Sequence, residues 1–190
     1  MQKIMFNDRY GLTQAVIEGR KTMTRRLIPD EFFGLTWDTR GNTLVYENEY
    51  GDFIDVRLSK YTRYKVGEIV SVAQNYSSFY NILDNTRPIP EDAGWDNKMF
   101  VRADLMPHQI RITGIRCERL QDIQDADCLK EGVRYIPEIN RFYFEDVSRE
   151  ASFYFDNHRE AFAALIDRVS GKGTWERSPW VVVYEFELVK

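Results

Sequence analysis

A chain of 190 residues, 43% hydrophobic and 29% charged with both signs interspersed, fits one hydrophobic core and excludes a disordered or collagen-like polymer. Its longest strongly apolar run, residues 180–184, falls far short of the roughly 20 residues a membrane-spanning helix needs, and an acid at Asp8 interrupts any signal-like N-terminus, so a cytoplasmic protein is expected. The net charge of −4 argues against wholesale coating of duplex nucleic acid, but residues 1–26 carry six bases against two acids, a basic face suited to a small anionic ligand or a short single strand.

In chain order, residues 4–6 read as a short strand. Leu12, Ala15 and Val16 recur at helical spacing, and Gly19 sits where that helix stops. The basic octet of residues 20–27 follows and runs into a strand that ends before the breaker Pro29. Residues 43–46 and 53–58 read as a hairpin, and 66–72 as a turn feeding a buried strand. Residues 75–98, with Pro88, Pro90 and Gly94, lack periodicity and read as a long surface insertion, with a strand expected at 99–103.

Residues 109–120 alternate apolar and polar and give the clearest strand, with Gly114 marking a bulge that shifts its register. Asp122 opens and Gly132 closes a short helix. Residues 133–156, polar and aromatic, receive no assignment. Ala161, Phe162, Leu165, Ile166 and Val169 form one helical stripe, Gly171 and Gly173 end it, and residues 180–189 make a last strand expected beside the long middle one. Strands and helices do not alternate as a doubly wound sheet requires, so an α+β domain or small mixed barrel is expected.

The octet is the densest chemical candidate. Arg20, Lys21, Arg25 and Arg26, mixed with Thr22 and Thr24, supply donors for phosphate or a base edge; the plain alternative is a solvated cationic edge strand. Side chains three apart in a regular strand point to opposite faces, so Lys21 and Thr24 converge only if the backbone bends between them. Trp175 and Trp180 read as core or lid, although an aromatic ring beside a basic groove can stack a base. Glu131, read alone, is a solvated acid at a helix end. Cys117 and Cys128 form no Cys-x-x-Cys pair and read as buried thiols, and His108 and His158 match no ligand spacing, so neither metal nor cofactor is expected.

Gly19-Arg20-Lys21-Thr22-Met23-Thr24-Arg25-Arg26 resembles the G-R-K-T-x-T-x-R signature of the ASCH domain family, whose fold is a PUA-like β-barrel. Val66-Gly67-Glu68 resembles the family's turn before a barrel strand. Residues 112–123 resemble its strand leading into a helix, and the combination of Phe162, Gly171-Lys172-Gly173, Trp175 and Pro179-Trp180 resembles its larger phage- and bacterium-encoded members. After Val66-Gly67-Glu68, where such members often read L-W-V-R-E, this chain reads Ile69-Val70-Ser71-Val72-Ala73.

The resemblance implies one PUA-like domain over residues 1–190, a mixed barrel with flanking helices and an insertion at 75–98. It implies binding of RNA, a nucleoside or a nucleotide in the barrel cleft; the basic charge of residues 1–26 and an aromatic ring beside it make Arg20, Arg25, Arg26 and Trp180 the expected ligand-binding residues. Some small members hydrolyse N4-acetylcytidine with a lysine, a threonine and a glutamate; Lys21, Thr24 and Glu131 occupy the matching positions. An amidohydrolase is therefore the alternative to a binding protein, and a non-catalytic interaction module with an acidic partner is a third.

Overall fold

The computed structural model describes residues 1–29, 34–59, 62–80 and 88–189. Two long strands set the architecture: β7 (Gln109–Arg119) and β11 (Trp180–Leu188), antiparallel with Val182 opposite Cys117. Val181 to Tyr184 are all buried because β11 is central, flanked on its other side by β2 (Met23–Leu27), with Val183 opposite Arg25. On the far side of β7 lies β6 (Ile69–Val72), which pairs in parallel with β1 (Lys3–Ile4) and completes a five-stranded sheet in the order β1-β6-β7-β11-β2. The expected bulge is present: Glu185 faces Gly114 and Phe186 faces Ile112, so Thr113 is the extra residue.

Among the described residues the closed barrel is not formed. The hairpin strands expected in its wall, β4 (Thr43–Glu47) and β5 (Phe53–Asp55), pair with each other and with β3 (Thr36–Asp38) as a separate sheet. The main sheet stays open at β1, two residues long, and at β2, whose extension meets the donor-less Pro29. The protein is thus a mixed α+β fold built mostly of open sheets.

The unassigned stretch holds a third sheet, β8 (Arg134–Ile136), β9 (Arg141–Asp146) and β10 (Ala151–Phe155), turned by Asn140 and Glu150 in the left-handed region. Its Phe144 and Phe153 face the core, while Tyr143 and Tyr154 stack on the other face, 5.7 Å apart. The strand expected at 99–103 is absent. There the ammonium of Lys3 gathers the carbonyls of Lys98 (3.0 Å), Met99 (2.7 Å) and Val101 (2.8 Å), leaving them no ladder to join. Of the proposed insertion at 75–98, residues 81–87 lie outside the described residues.

Among the described residues four α-helices complete the fold: α1 (Leu12–Ile17), α2 (Asp125–Lys130), α3 (His158–Ser170) and the single turn α4 (Thr174–Arg177). Asn157 caps α3 by accepting the Glu160 amide at 2.8 Å. Its stripe, Ala161, Phe162, Leu165 and Ile166, is buried in the main core with Ile4, Leu44, Ile110, Phe144 and Tyr184.

Candidate functional site

The bend that Lys21 and Thr24 require lies before the strand. Gly19 takes a left-handed φ of +71°, and the amides of Arg20 and Lys21 both donate to the Ala15 carbonyl at 2.9 Å, reversing the chain at the end of α1. Thr22 then donates to the Lys130 carbonyl at 3.0 Å and accepts from Phe186 at 2.9 Å, so β2 starts only at Met23. Lys21 precedes the ladder and Thr24 lies within it, which removes the opposite-face constraint.

Both residues line one cavity of about 210 Å³, closed by Glu131 at the end of α2 and by Phe162, Leu165 and Ile166 of α3. The Lys21 Nζ donates to Glu131 Oε2 at 2.6 Å and to the Glu131 carbonyl at 2.8 Å. Lys21 is 2% exposed and Glu131 5%, so the acid expected as a solvated helix end is instead half of a buried ion pair. Gly132 makes this possible: with φ +111° it lies where a Cβ would come within 2.8 Å of Leu12 Cδ2. Thr24, 5% exposed, lines the cavity beside the pair.

Burial draws the Lys21 ammonium below the ordinary lysine range. Glu131 opposes the shift by charge and hydrogen bond; Arg26 and Arg25 reinforce it. Behind the pair stands a carboxylate–guanidinium network. Arg25 reaches Glu131 Oε1 through Nη1 (3.0 Å), Glu118 Oε1 through Nε and Nη2 (2.9 and 2.7 Å), and Asp127 Oδ2 through Nη2 (3.4 Å). Arg116 binds the same Glu118 (2.8 Å) and Asp127 (2.7 Å) and bridges outward to Glu185. Burial tends to raise the Asp127 pKa, but Lys130, Arg116 and Arg25 hold it below its usual value.

The remaining sequence candidates separate. Arg26 lines the cavity, is exposed, and donates to the Met5 carbonyl across its mouth. Arg25 also reaches the cavity, but as a partner of carboxylates; its side chain is 1% exposed, which leaves little of it for a ligand. Arg20 is held by Glu18 at 2.5 Å and lines a different cavity. Trp180 does not line the site: Trp37 stacks on it at 5.7 Å and the Arg119 guanidinium lies 4.2 Å from its ring centroid.

Sequence reasoning missed Arg116, Glu118 and Asp127. The available signal was register: Arg25 and Arg116 both face Val183 from opposite sides, in one row across the sheet. Cys117 and Cys128 are buried, and burial pushes their thiols up to about 12 and about 11, beyond the range in which a nucleophilic thiolate forms at neutral pH. Among the described residues no group of His, Cys, Asp and Glu is arranged to hold a metal ion, and no helix is long and apolar enough to cross a membrane. No family model, curated protein or solved structure matches the chain.

Proposed function

We propose that this is an ASCH-type protein, related to the PUA-like group, that hydrolyses the exocyclic amide of an N4-acylated cytosine nucleoside in the cavity between β2, α2 and α3. One observation carries the reading: Lys21, Thr24 and Glu131 converge on a cavity of about 210 Å³ with the lysine–glutamate pair buried. That volume lies below the roughly 300–1,000 Å³ of drug-sized sites, which suits one modified base better than an oligonucleotide.

Each residue has a role that the chemistry demands. Lys21 first gives its ammonium proton to solvent; a water oriented by the Thr24 hydroxyl then attacks the acyl carbon, and the freed Lys21 amine takes its proton. The amide C–N bond breaks, Lys21 returns the proton to the departing exocyclic nitrogen, and the acyl group leaves as a carboxylic acid. Glu131 keeps Lys21 in place and stabilises its protonated form between the two transfers. Arg26, at the mouth, supplies positive charge for the oxyanion or the sugar side of the substrate.

A long single strand fits less well. The four bases of the octet form no continuous track, since Arg20 is paired outside the cavity and Arg25 lies among carboxylates. Binding of a nucleoside without turnover is favoured by one observation: Lys21 already donates to a carboxylate and a carbonyl, the arrangement of a charged ammonium. Incubation with a panel of free and N4-acylated nucleosides, followed by mass analysis, separates the readings. N4-acetylcytidine should yield cytidine and acetate, and Lys21→Met should yield neither. Binding of nucleosides without product would leave the binding reading, and tight binding of unmodified oligonucleotides alone would replace both with an RNA-binding role.

A further inference from the structure

The network behind Glu131 has a geometry that packing alone does not require. The Glu131 carboxylate is divided: Oε2 takes the Lys21 ammonium at 2.6 Å and Oε1 takes Arg25 Nη1 at 3.0 Å. The other edge of the same guanidinium, Nε and Nη2, is fixed on Glu118 Oε1 at 2.9 and 2.7 Å. Glu118 is itself held through Oε2 by Arg116 at 2.8 Å. A planar fork anchored on one side and offered on the other determines both where the Glu131 carboxylate sits and which oxygen it presents.

We propose that Arg25 is a positioning residue: anchored by Glu118, it clamps Glu131 Oε1 so that Oε2 alone meets Lys21, and thereby sets the proton affinity of that lysine. The inference rests on the hydrolase reading for its purpose, but its physical content is independent of any substrate. Arg25 occupies the seventh position of the G-R-K-T-x-T-x-R signature of residues 19–26, one of its two variable places, so the role follows from contacts and not from the resemblance.

Among the described residues, the charged groups that line the cavity around Lys21 are few. Glu131 comes from the end of α2, and Arg25 and Arg26 come from β2. The α3 wall contributes Phe162, Leu165, Ile166 and Val169 with the neutral Ser170, and the N-terminal wall contributes no charge among Met5, Phe6 and Asn7. Within this set, removing the Arg25 charge takes away a neighbouring cation and releases Glu131 wholly to Lys21, and both effects raise the lysine pKa. Neutralising Glu118 acts the other way, because it leaves the Arg25 charge less compensated.

The test is the NMR titration of the Lys21 side chain in the full-length protein labelled with 13C,15N-lysine, its resonance assigned by loss in Lys21→Met. In Arg25→Gln the Lys21 midpoint should rise by about one pH unit or more. Arg25→Lys keeps a charge but loses the fork, so a single ammonium cannot serve Glu131 and Glu118 together; it should rise less. Glu118→Gln, which touches neither Lys21 nor Glu131, should lower the midpoint, and it supplies the test if Arg25→Gln does not fold. An unchanged Lys21 midpoint in the folded variants would overturn the proposal and reduce Arg25 to a structural ion pair. Failure of the hydrolase reading would appear separately, as absent turnover in the unaltered protein.

Discussion

Two cavities flank the N-terminal segment of residues 6–13, and they contrast in how they treat charge. The smaller, about 210 Å³, holds Lys21 and Glu131 with side chains 2% and 6% exposed. The larger, about 450 Å³, is lined by two pairs, Arg20–Glu18 and Arg134–Glu145, whose side chains are all more than a third exposed. Volume and charge content favour the larger cavity. Water screens its pairs and weakens the attraction within each. In the smaller cavity, desolvation makes each charge depend on its partner and draws the Lys21 ammonium below the ordinary lysine range.

The contrast is sharpest in stability. Glu131→Ala strips the buried Lys21 and Arg25 of a shared partner and should cost about 3–5 kcal/mol in urea unfolding, the range seen when one member of a buried pair is removed. A loss below about 1 kcal/mol would mean that water enters the smaller cavity and the contrast is illusory. Gly132→Ala is the next largest. It forces an L-residue into φ +111° and a Cβ against Leu12, with an expected cost of about 1–3 kcal/mol in the same assay.

Between the two regimes stands Asp146, itself 2% exposed but held by the exposed Arg9 through three hydrogen bonds, with Ser148 adding a fourth. The Arg9 bonds, chiefly, hold its carboxyl at about 2. Because the folded value is depressed, its stabilising contribution is complete above the unfolded aspartate value of about 3.9 and disappears as pH falls toward about 2. Urea midpoints measured from pH 5 to pH 2 should therefore decline in the unaltered protein and decline less steeply in Asp146→Asn. Smallest of all is Arg134→Ala at the larger cavity, which should change stability by about 0–1 kcal/mol, an effect that salt should weaken further.

Much of this contrast was hidden in the sequence for identifiable reasons. The long strand at 109–120, its bulge beside Gly114, the 159–169 helix and the pairing of the last strand with the middle one were legible, because each rests on local periodicity or a single glycine. The third sheet was not. Its alternation is real, with Phe142 and Phe144 on one face of β9 and Tyr143 on the other, but aromatic residues occupy both faces and blur the period of two. The closed barrel failed as an expectation because strand existence is local, whereas closure depends on which edges meet. At the site, Lys21, Thr24 and Glu131 entered through the octet and the family resemblance. The solvated reading of Glu131 failed because helix position alone does not reveal what packs over a helix end. Arg25 illustrates the limit: four bases in seven residues look alike in sequence, and only burial against Glu118 separates a carboxylate clamp from a free ligand-binding cation.

The central claim is that chemistry belongs to the smaller, desolvated cavity. The most direct measurement is the rate of cytidine release from N4-acetylcytidine by the unaltered protein, Lys21→Met and Arg134→Ala, each checked for folding. The account predicts turnover in the first, none in Lys21→Met and an undiminished rate in Arg134→Ala. Turnover that survives Lys21→Met and is lost in Arg134→Ala would place the chemistry in the other cavity and contradict it.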